Sequence, residues 1–285
     1  MTSIPLLTAS GTPGQPLLHL APANGFVLET YRPLLLSGFS GFHCVAVPPR
    51  ALWQASPPDL LPETDWHEDA SVLLRGLDQH YLPPVVAVGH SFGAIVTLIA
   101  ALQDPDRFRA LIFLDPTILA REVIEYVVDL RQQGRATENP LAQAALRRRR
   151  TFASIEGAFA NFRSKDVFAQ WSDEAIKLYA EYGTREILGG RALTWSPEWE
   201  AFYFSTIPAD TWEMVSRLSS LRMPILFLRG ETSETYTEAS AQEVAHIVPQ
   251  AAHKQIHAHG HLFPQSAPNV AARQIRTWLK QHGLM

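Results

Sequence analysis

The segment Gly89-His90-Ser91-Phe92-Gly93 sets one serine between two glycines, after the apolar run Val85 to Val88 and before a helical stretch from Phe92 to Gln103. A strand turning this sharply into a helix holds its central residue in a strained conformation. Side chains on either flank would collide, so glycine is needed on both sides. The turn projects the Ser91 hydroxyl away from the sheet and places it at a helix N-terminus, where unpaired backbone N–H groups stabilise negative charge on a reacting oxygen. The chemistry this allows is attack on a carbonyl followed by acyl transfer, given a base to take the serine proton. The plain alternative is a glycine-serine turn that only starts a helix, and the flanking strand and helix weigh against it.

The chain has 11 histidines as candidate bases. His257, His259 and His261 alternate, and on an extended backbone all three would share one face. That pattern admits a metal site, but zinc needs three or four converging ligands and neither a cysteine pair nor an H-E-x-x-H helix is present, so no metal is expected. His19, His43 and His80 read as ordinary surface or core residues, and His90 as a pocket-lining neighbour of Ser91. The single cysteine, Cys44, can close no internal disulfide and reads as a small core hydrophobe in the run Phe42 to Val47.

Positioning such groups requires a scaffold, and the sequence describes one. Short apolar runs alternate with segments of helical period, the pattern of a mostly parallel sheet with crossover helices, so the predicted fold class is α/β. Ile4 to Thr8 and Leu17 to Leu20 flank the turn Gly11-Thr12-Pro13-Gly14. Phe42 to Val47, Val85 to Val88, Leu111 to Leu114, Ile225 to Leu228 and Gln255 to His257 are the further strands. Trp66, Ala70, Leu73, Leu74, Leu77 and Tyr81 recur at helical spacing, with Asp65 and Glu68 as a capping pair. Helices also follow around Ala239 to Ile247 and toward Leu279. Between Thr117 and Leu221 the alternation stops and the chain turns helical, aromatic and arginine-rich, with Asn139-Pro140 placed as N-cap and first helical residue. The organisation read from this is a core of residues 1–116 and 222–285 with a helical lid of residues 117–221 inserted in it.

Hydrophobic residues form 46% of the 285 and charged residues 18%, which predicts a packed core. A net charge of −4 supplies no positive field for a nucleic-acid backbone, so nucleic acid is not an expected partner. Met1 to Ser10 has no basic segment leading into a long apolar stretch, and no run of about 18 apolar residues occurs. These features predict a soluble, cytoplasmic protein with no stable membrane insertion, and they carry no signal of oligomeric state.

The elbow and its context resemble the alpha/beta-hydrolase superfamily, with motifs spread over most of the chain outside the lid. The resemblance implies an alpha/beta-hydrolase fold and a triad in the order serine, acid, histidine. His261, after Gly260 and before the last helix, is where the superfamily keeps its histidine. For the acid, the loop Arg229-Gly230-Glu231-Thr232-Ser233-Glu234 follows a strand at the expected place, although aspartate is commoner there. Glu234 is preferred by its offset from Gly230, with Glu231 as a solvated alternative and Asp115, at the end of the strand Leu111 to Leu114, as the rival. Asn24-Gly25-Phe26 resembles the superfamily's His-Gly-x oxyanion loop, with Asn24 where histidine is usual. The resemblance thus implies oxyanion donors on the backbones of Phe26 and Phe92, with their rings lining the pocket.

A serine nucleophile argues against the epoxide hydrolases and haloalkane dehalogenases, which place aspartate at this turn. The implied activity is hydrolysis of an ester or similar acyl bond through an acyl-enzyme, with no cofactor. The alternatives are a carbon-carbon bond hydrolase, a lactonase, or a slow-turnover ligand sensor that keeps the triad. The lid aromatics between Phe159 and Trp212 favour a small-molecule substrate with an apolar portion. Arg147 to Arg150 reads as a solvated face, with an anionic head group as the alternative ligand.

Overall fold

The alternation resolves, in a computed structural model that describes residues 3–285, into one seven-stranded sheet with helices packed on both faces. In chain order the elements are β1 (Leu7–Ser10), β2 (Leu17–Ala21), α1 (Arg32–Gly38), β3 (His43–Ala46), α2 (His67–Gln79), β4 (Val85–His90), α3 (Phe92–Gln103) and β5 (Phe108–Leu114). A long insertion follows: α4 (Arg121–Gln132), α5 (Pro140–Leu146), β6 (Thr151–Phe152), α6 (Ile155–Arg163), α7 (Asp173–Tyr182), β7 (Thr184–Ile187), β8 (Gly190–Leu193), α8 (Pro197–Ser205) and α9 (Thr211–Arg217). The chain then returns through β9 (Ile225–Gly230), α10 (Glu238–Ile247), β10 (Ala252–Ile256), α11 (Phe263–Ser266) and α12 (Pro268–Gln281).

The strand order is β1-β3-β2-β4-β5-β9-β10, and only β1 runs antiparallel to its neighbour. Every residue of β2, β4 and β9 is buried, as a parallel strand covered on both faces requires. Alternate residues serve two cores. Val85, Ala87, Leu111, Phe113, Ile225 and Phe227 join α2, α3 and α10 on one face. Val86, Val88, Ile112, Leu114, Leu226 and Leu228 join α12 on the other. From β2 the chain moves outward to β3, then crosses back over β2 to β4. The order therefore reverses between β2 and β4, and a crevice opens at their carboxyl ends, where open α/β sheets bind ligands.

The expectations for Cys44, which is wholly buried, and for Asn139, whose Oδ1 accepts from the Leu141 N–H at 2.9 Å, match the structure. The Asp65 and Glu68 capping pair forms only in half. Asp65 Oδ1 accepts from the His67 N–H (2.9 Å), but the helix begins at His67, too late for Glu68 to reach back, and Glu68 pairs with Arg75 instead. The insertion is not purely helical, since β6, β8 and β7 form a small antiparallel sheet. Its strands have at most four residues and β7 is exposed after Thr184, so no period-two pattern announces them. Gly189, at φ 83°, makes the hairpin turn. Among the described residues no helix is long and apolar enough to cross a membrane.

The insertion is fastened to the sheet layer by a buried polar network. Arg50 donates from Nε and Nη2 to the two oxygens of Asp69 on α2 (3.1 and 2.7 Å), and the Tyr203 hydroxyl on α8 donates to Asp69 Oδ1 (2.7 Å). Burial pushes the Asp69 carboxyl above its ordinary value despite the Arg50 guanidinium beside it. Removing one partner of such a pair leaves the other charge buried and unmatched. Asp69→Asn should therefore lower unfolding free energy by about 3 kcal/mol or more, and Tyr203→Phe by about 2 kcal/mol. Urea denaturation checks both, and an Asp69→Asn midpoint equal to that of the unaltered chain would contradict the anchoring role.

Candidate active site

Ser91 lies between β4 and α3 with φ 56° and ψ −117°, a strained conformation for a residue bearing a side chain. Close approach makes the two glycines necessary. A Cβ on Gly89 would lie 2.5 Å from the Ala94 Cα, and one on Gly93 would lie 2.2 Å from the Ala21 carbonyl oxygen. The second contact brings the loop after β2 against the start of α3. The Ser91 N–H donates to the Leu114 carbonyl at 3.1 Å, tying the elbow to the end of β5.

The structure brings Ser91 and His261 together: Ser91 Oγ and His261 Nε2 are 2.9 Å apart. The other ring nitrogen, Nδ1, lies 2.7 Å from Asp115 Oδ2. Asp115 directly follows β5, has φ 42° and is wholly buried. The Gly230 N–H donates to its Oδ1 at 2.7 Å, and the Ser233 hydroxyl donates to its Oδ2. Glu234, preferred from the sequence, is exposed and does not meet His261. The reason is the pairing of β5 with β9. Leu114 sits opposite Leu228, so Asp115 arrives level with the start of the Arg229 to Glu234 loop, and that loop serves Asp115 through Gly230 and Ser233.

The three alternating histidines do not share a face. Extended backbone ends with β10 at Ile256, and Ala258 has φ 60°. His257 is exposed and lies 3.5 Å from Glu231, while His259 Nδ1 lies 2.8 Å from the Ser266 hydroxyl. Only His261 turns toward Ser91, and the grouping that suggested a metal site is not formed.

The loop after β2 also differs from its reading. The Phe26 N–H donates to the Ala23 carbonyl at 3.1 Å, closing a turn, so it is not free to act on an oxyanion. The Ala23 N–H is taken by the Tyr31 hydroxyl (2.9 Å). Among the described residues no acceptor pairs with the N–H of Asn24 or of Phe92. The Phe92 ring is buried between Trp66 and Tyr203 rather than lining an open pocket, and the Phe26 ring packs on Tyr179. Thr117, which the sequence reading passed over, has its hydroxyl 3.2 Å from Ser91 Oγ. Its only sequence signal is its place two residues after Asp115. Of the arginine run, Arg148 alone turns inward, pairing with Glu200 and donating to the Tyr179 hydroxyl (2.9 Å), which in turn donates to the Gly25 carbonyl (3.1 Å).

With this geometry described, comparison with known proteins places the fold. A model of the alpha/beta hydrolase family matches residues 17–274. The chain belongs to the alpha/beta hydrolase family. It is 23% identical over 264 residues to the 2-(acetamidomethylene)succinate hydrolase of Mesorhizobium japonicum, covering 92% of this chain and 86% of that one. Over 139 residues it is 31% identical to the lipase LipV of Mycobacterium tuberculosis, covering 46% of this chain and 49% of the lipase. Among solved structures, an E-2-(acetamidomethylene)succinate hydrolase superposes with a TM-score of 0.69 at 20% identity, covering 93% of this chain and 91% of that one.

Two buried histidines set a pH dependence for this hydrolase. Burial lowers His19 to about 4 against a weaker upward pull from its bond to the Val47 N–H. Burial, and then the charge His261 would carry, push His90 well below its ordinary value. Both are neutral when folded, whereas the unfolded chain protonates them below about pH 6.5. Stability should thus be fully present above pH 6.5 and fall as pH drops toward 5, by about 2 kcal/mol for each histidine. His67 moves the other way, raised by its bond to Asp65, but that contribution changes only above pH 6.5. A urea midpoint constant from pH 6.5 to 5 would contradict this.

Proposed function

We propose that this hydrolase cleaves a carboxylic ester or similar acyl bond through a covalent intermediate on Ser91, with His261 as base and Asp115 as acid. The observation that carries the reading is the unbroken hydrogen-bond path from Ser91 Oγ through the His261 ring to Asp115, at 2.9 and 2.7 Å. With Asp115 accepting from Nδ1–H, Nε2 is the lone-pair nitrogen that can take the serine proton. Ser91 Oγ attacks the carbonyl carbon as its proton passes to His261, and Asp115 stabilises the imidazolium. The tetrahedral oxyanion lies against the N–H of Phe92 and, in place of Phe26, that of Asn24. The imidazolium then protonates the leaving group, and His261 activates the water that releases the acyl group. None of these steps requires a cofactor.

Thr117 keeps the Ser91 hydroxyl in one rotamer before substrate arrives. The insertion of residues 117–221 acts as the lid that sets substrate size, with a small molecule bearing an apolar portion as the partner. The Mesorhizobium relative is named for 2-(acetamidomethylene)succinate, whose acetamido group holds an acyl bond to nitrogen. That supports testing amides alongside esters.

A fluorophosphonate probe should label Ser91, and Ser91→Ala should abolish labelling. With p-nitrophenyl esters of graded acyl length, Asp115→Asn should lower kcat by about a thousandfold or more, because a neutral amide cannot stabilise the imidazolium. Glu234→Gln should stay near the parent value. Persistent labelling of Ser91→Ala would overturn the nucleophile, and the reverse ranking of the two acid variants would overturn Asp115.

A further inference from the structure

The Tyr31 hydroxyl accepts from the Ala23 N–H at 2.9 Å and lies 2.7 Å from His90 Nδ1. His90 Nε2 lies 3.0 Å from the His261 backbone carbonyl. Both ends of this series are chemically fixed, since a backbone N–H only donates and a carbonyl only accepts. The hydrogens between them have one consistent arrangement: Tyr31 donates to Nδ1, and His90 carries its proton on Nε2 and donates it to His261. Tyr31 and His90 are wholly buried, so neither end can exchange its partner for bulk water without opening the core.

We propose that Tyr31 and His90 are positioning residues that tie the loop bearing Asn24 to the loop bearing His261, across the strand that ends at Ser91. Ala23 adjoins Asn24, and the His261 carbonyl belongs to the same residue as the base. The relay therefore fixes the spacing between the oxyanion donor and the imidazole, neither of which it touches through a side chain. His90 precedes Ser91 at the end of β4, so all three groups are referred to one rigid strand. Burial keeps His90 neutral, which preserves the Nδ1 lone pair and places no second positive charge beside the imidazolium formed at His261. Burial likewise keeps the Tyr31 hydroxyl protonated as a donor. The His90 and His261 ring centroids are 5.1 Å apart, close enough for a charge on one to oppose a charge on the other.

This rests on the reading of Ser91, His261 and Asp115 as a triad, and the test separates the two. Steady-state kinetics on p-nitrophenyl esters would be measured for the unaltered chain, Tyr31→Phe, His90→Leu, His90→Gln and the double variant Tyr31→Phe/His90→Leu. The low-field proton resonance of the His261 Nδ1–H would be followed in each. Loss of the tie should lower kcat by about 10- to 100-fold, the scale of a small misplacement of reacting groups, with KM changed less than threefold. The low-field resonance should shift or broaden. The double variant should be no slower than the slower single variant, because both break one relay. His90→Gln, whose amide can still donate to the His261 carbonyl, should recover part of the loss.

Folded variants with kcat within twofold of the parent and an unmoved resonance would overturn the relay, as would a double variant equal to the product of the singles. If His90→Leu fails to fold, Tyr31→Phe decides alone, because it removes one hydroxyl and keeps the packing. Failure of the triad reading looks different: the unaltered chain would neither turn over an ester nor take up a fluorophosphonate, and the relay would fall with it.

Discussion

A carboxylate with no exposure to water organises the catalytic end of this molecule. Burying the charge of Asp115 is costly unless donors replace the lost hydration, and three converge on it: the Gly230 N–H, the Ser233 hydroxyl and the His261 ring. Each comes from a different place in the chain, the end of β9, the loop beyond it and the loop after β10. Satisfying one side chain therefore fixes the relative positions of three segments. Ser233 also accepts from the N–H groups of Thr235 and Tyr236, so the demand reaches the start of α10. The insertion is committed at the same point. Asp115 has φ 42° and is followed by Pro116, which turns the chain off the sheet and brings Thr117 back over Ser91.

The two halves of the insertion are held by different forces. On the α8 side the anchors are polar and buried: the Asp69 network, and Arg131 donating to the carbonyls of Ser205 and Ile207. On the α6 and α7 side they are mainly aromatic, with Phe162, Phe168, Trp171 and Tyr179 packed together and Phe26 against them. Side chains of the first half join the core over α2 and α3, and those of the second join the opposite core. Aromatic packing is non-directional and tolerates small shifts, whereas a bidentate ion pair does not. Displacement of the insertion is therefore easier on the side where Tyr179 meets the Gly25 carbonyl.

The sheet was legible because it is nearly all parallel and buried, which writes apolar runs that cannot be hidden. The elbow was legible because its glycines answer contacts of 2.2 and 2.5 Å that no other residue survives. The strands β6 to β8 left no trace, being too short to alternate. Phe26 was misread because Ala23 to Phe26 closes a turn, and turn closure depends on backbone angles that residue types in a polar loop do not fix. Ala258 defeated the alternation of the histidines in the same way, by adopting a positive φ that alanine gives no reason to expect. The Tyr31 to His90 contact joins residues 59 apart in sequence and has no local signature at all.

The acid was ambiguous for a geometric reason. Strands β5 and β9 are parallel neighbours in register, so their carboxyl ends reach the same level, and a carboxylate leaving either one can meet a histidine arriving after β10. Chain order alone does not choose between them. What chooses is the cost of burial and the supply of donors. Asp115 leaves its strand with no intervening residue, so its short side chain stays in the protein interior, where the Gly230 N–H is already unpaired by the end of the β9 ladder. Glu234 stands four residues beyond Gly230 on a loop facing water, where a carboxylate gains hydration by staying outside. Moving the acid to that loop would strand Gly230 N–H and the Ser233 hydroxyl without their acceptor. The β5 position is therefore held by the surroundings of Asp115 as much as by its own reach.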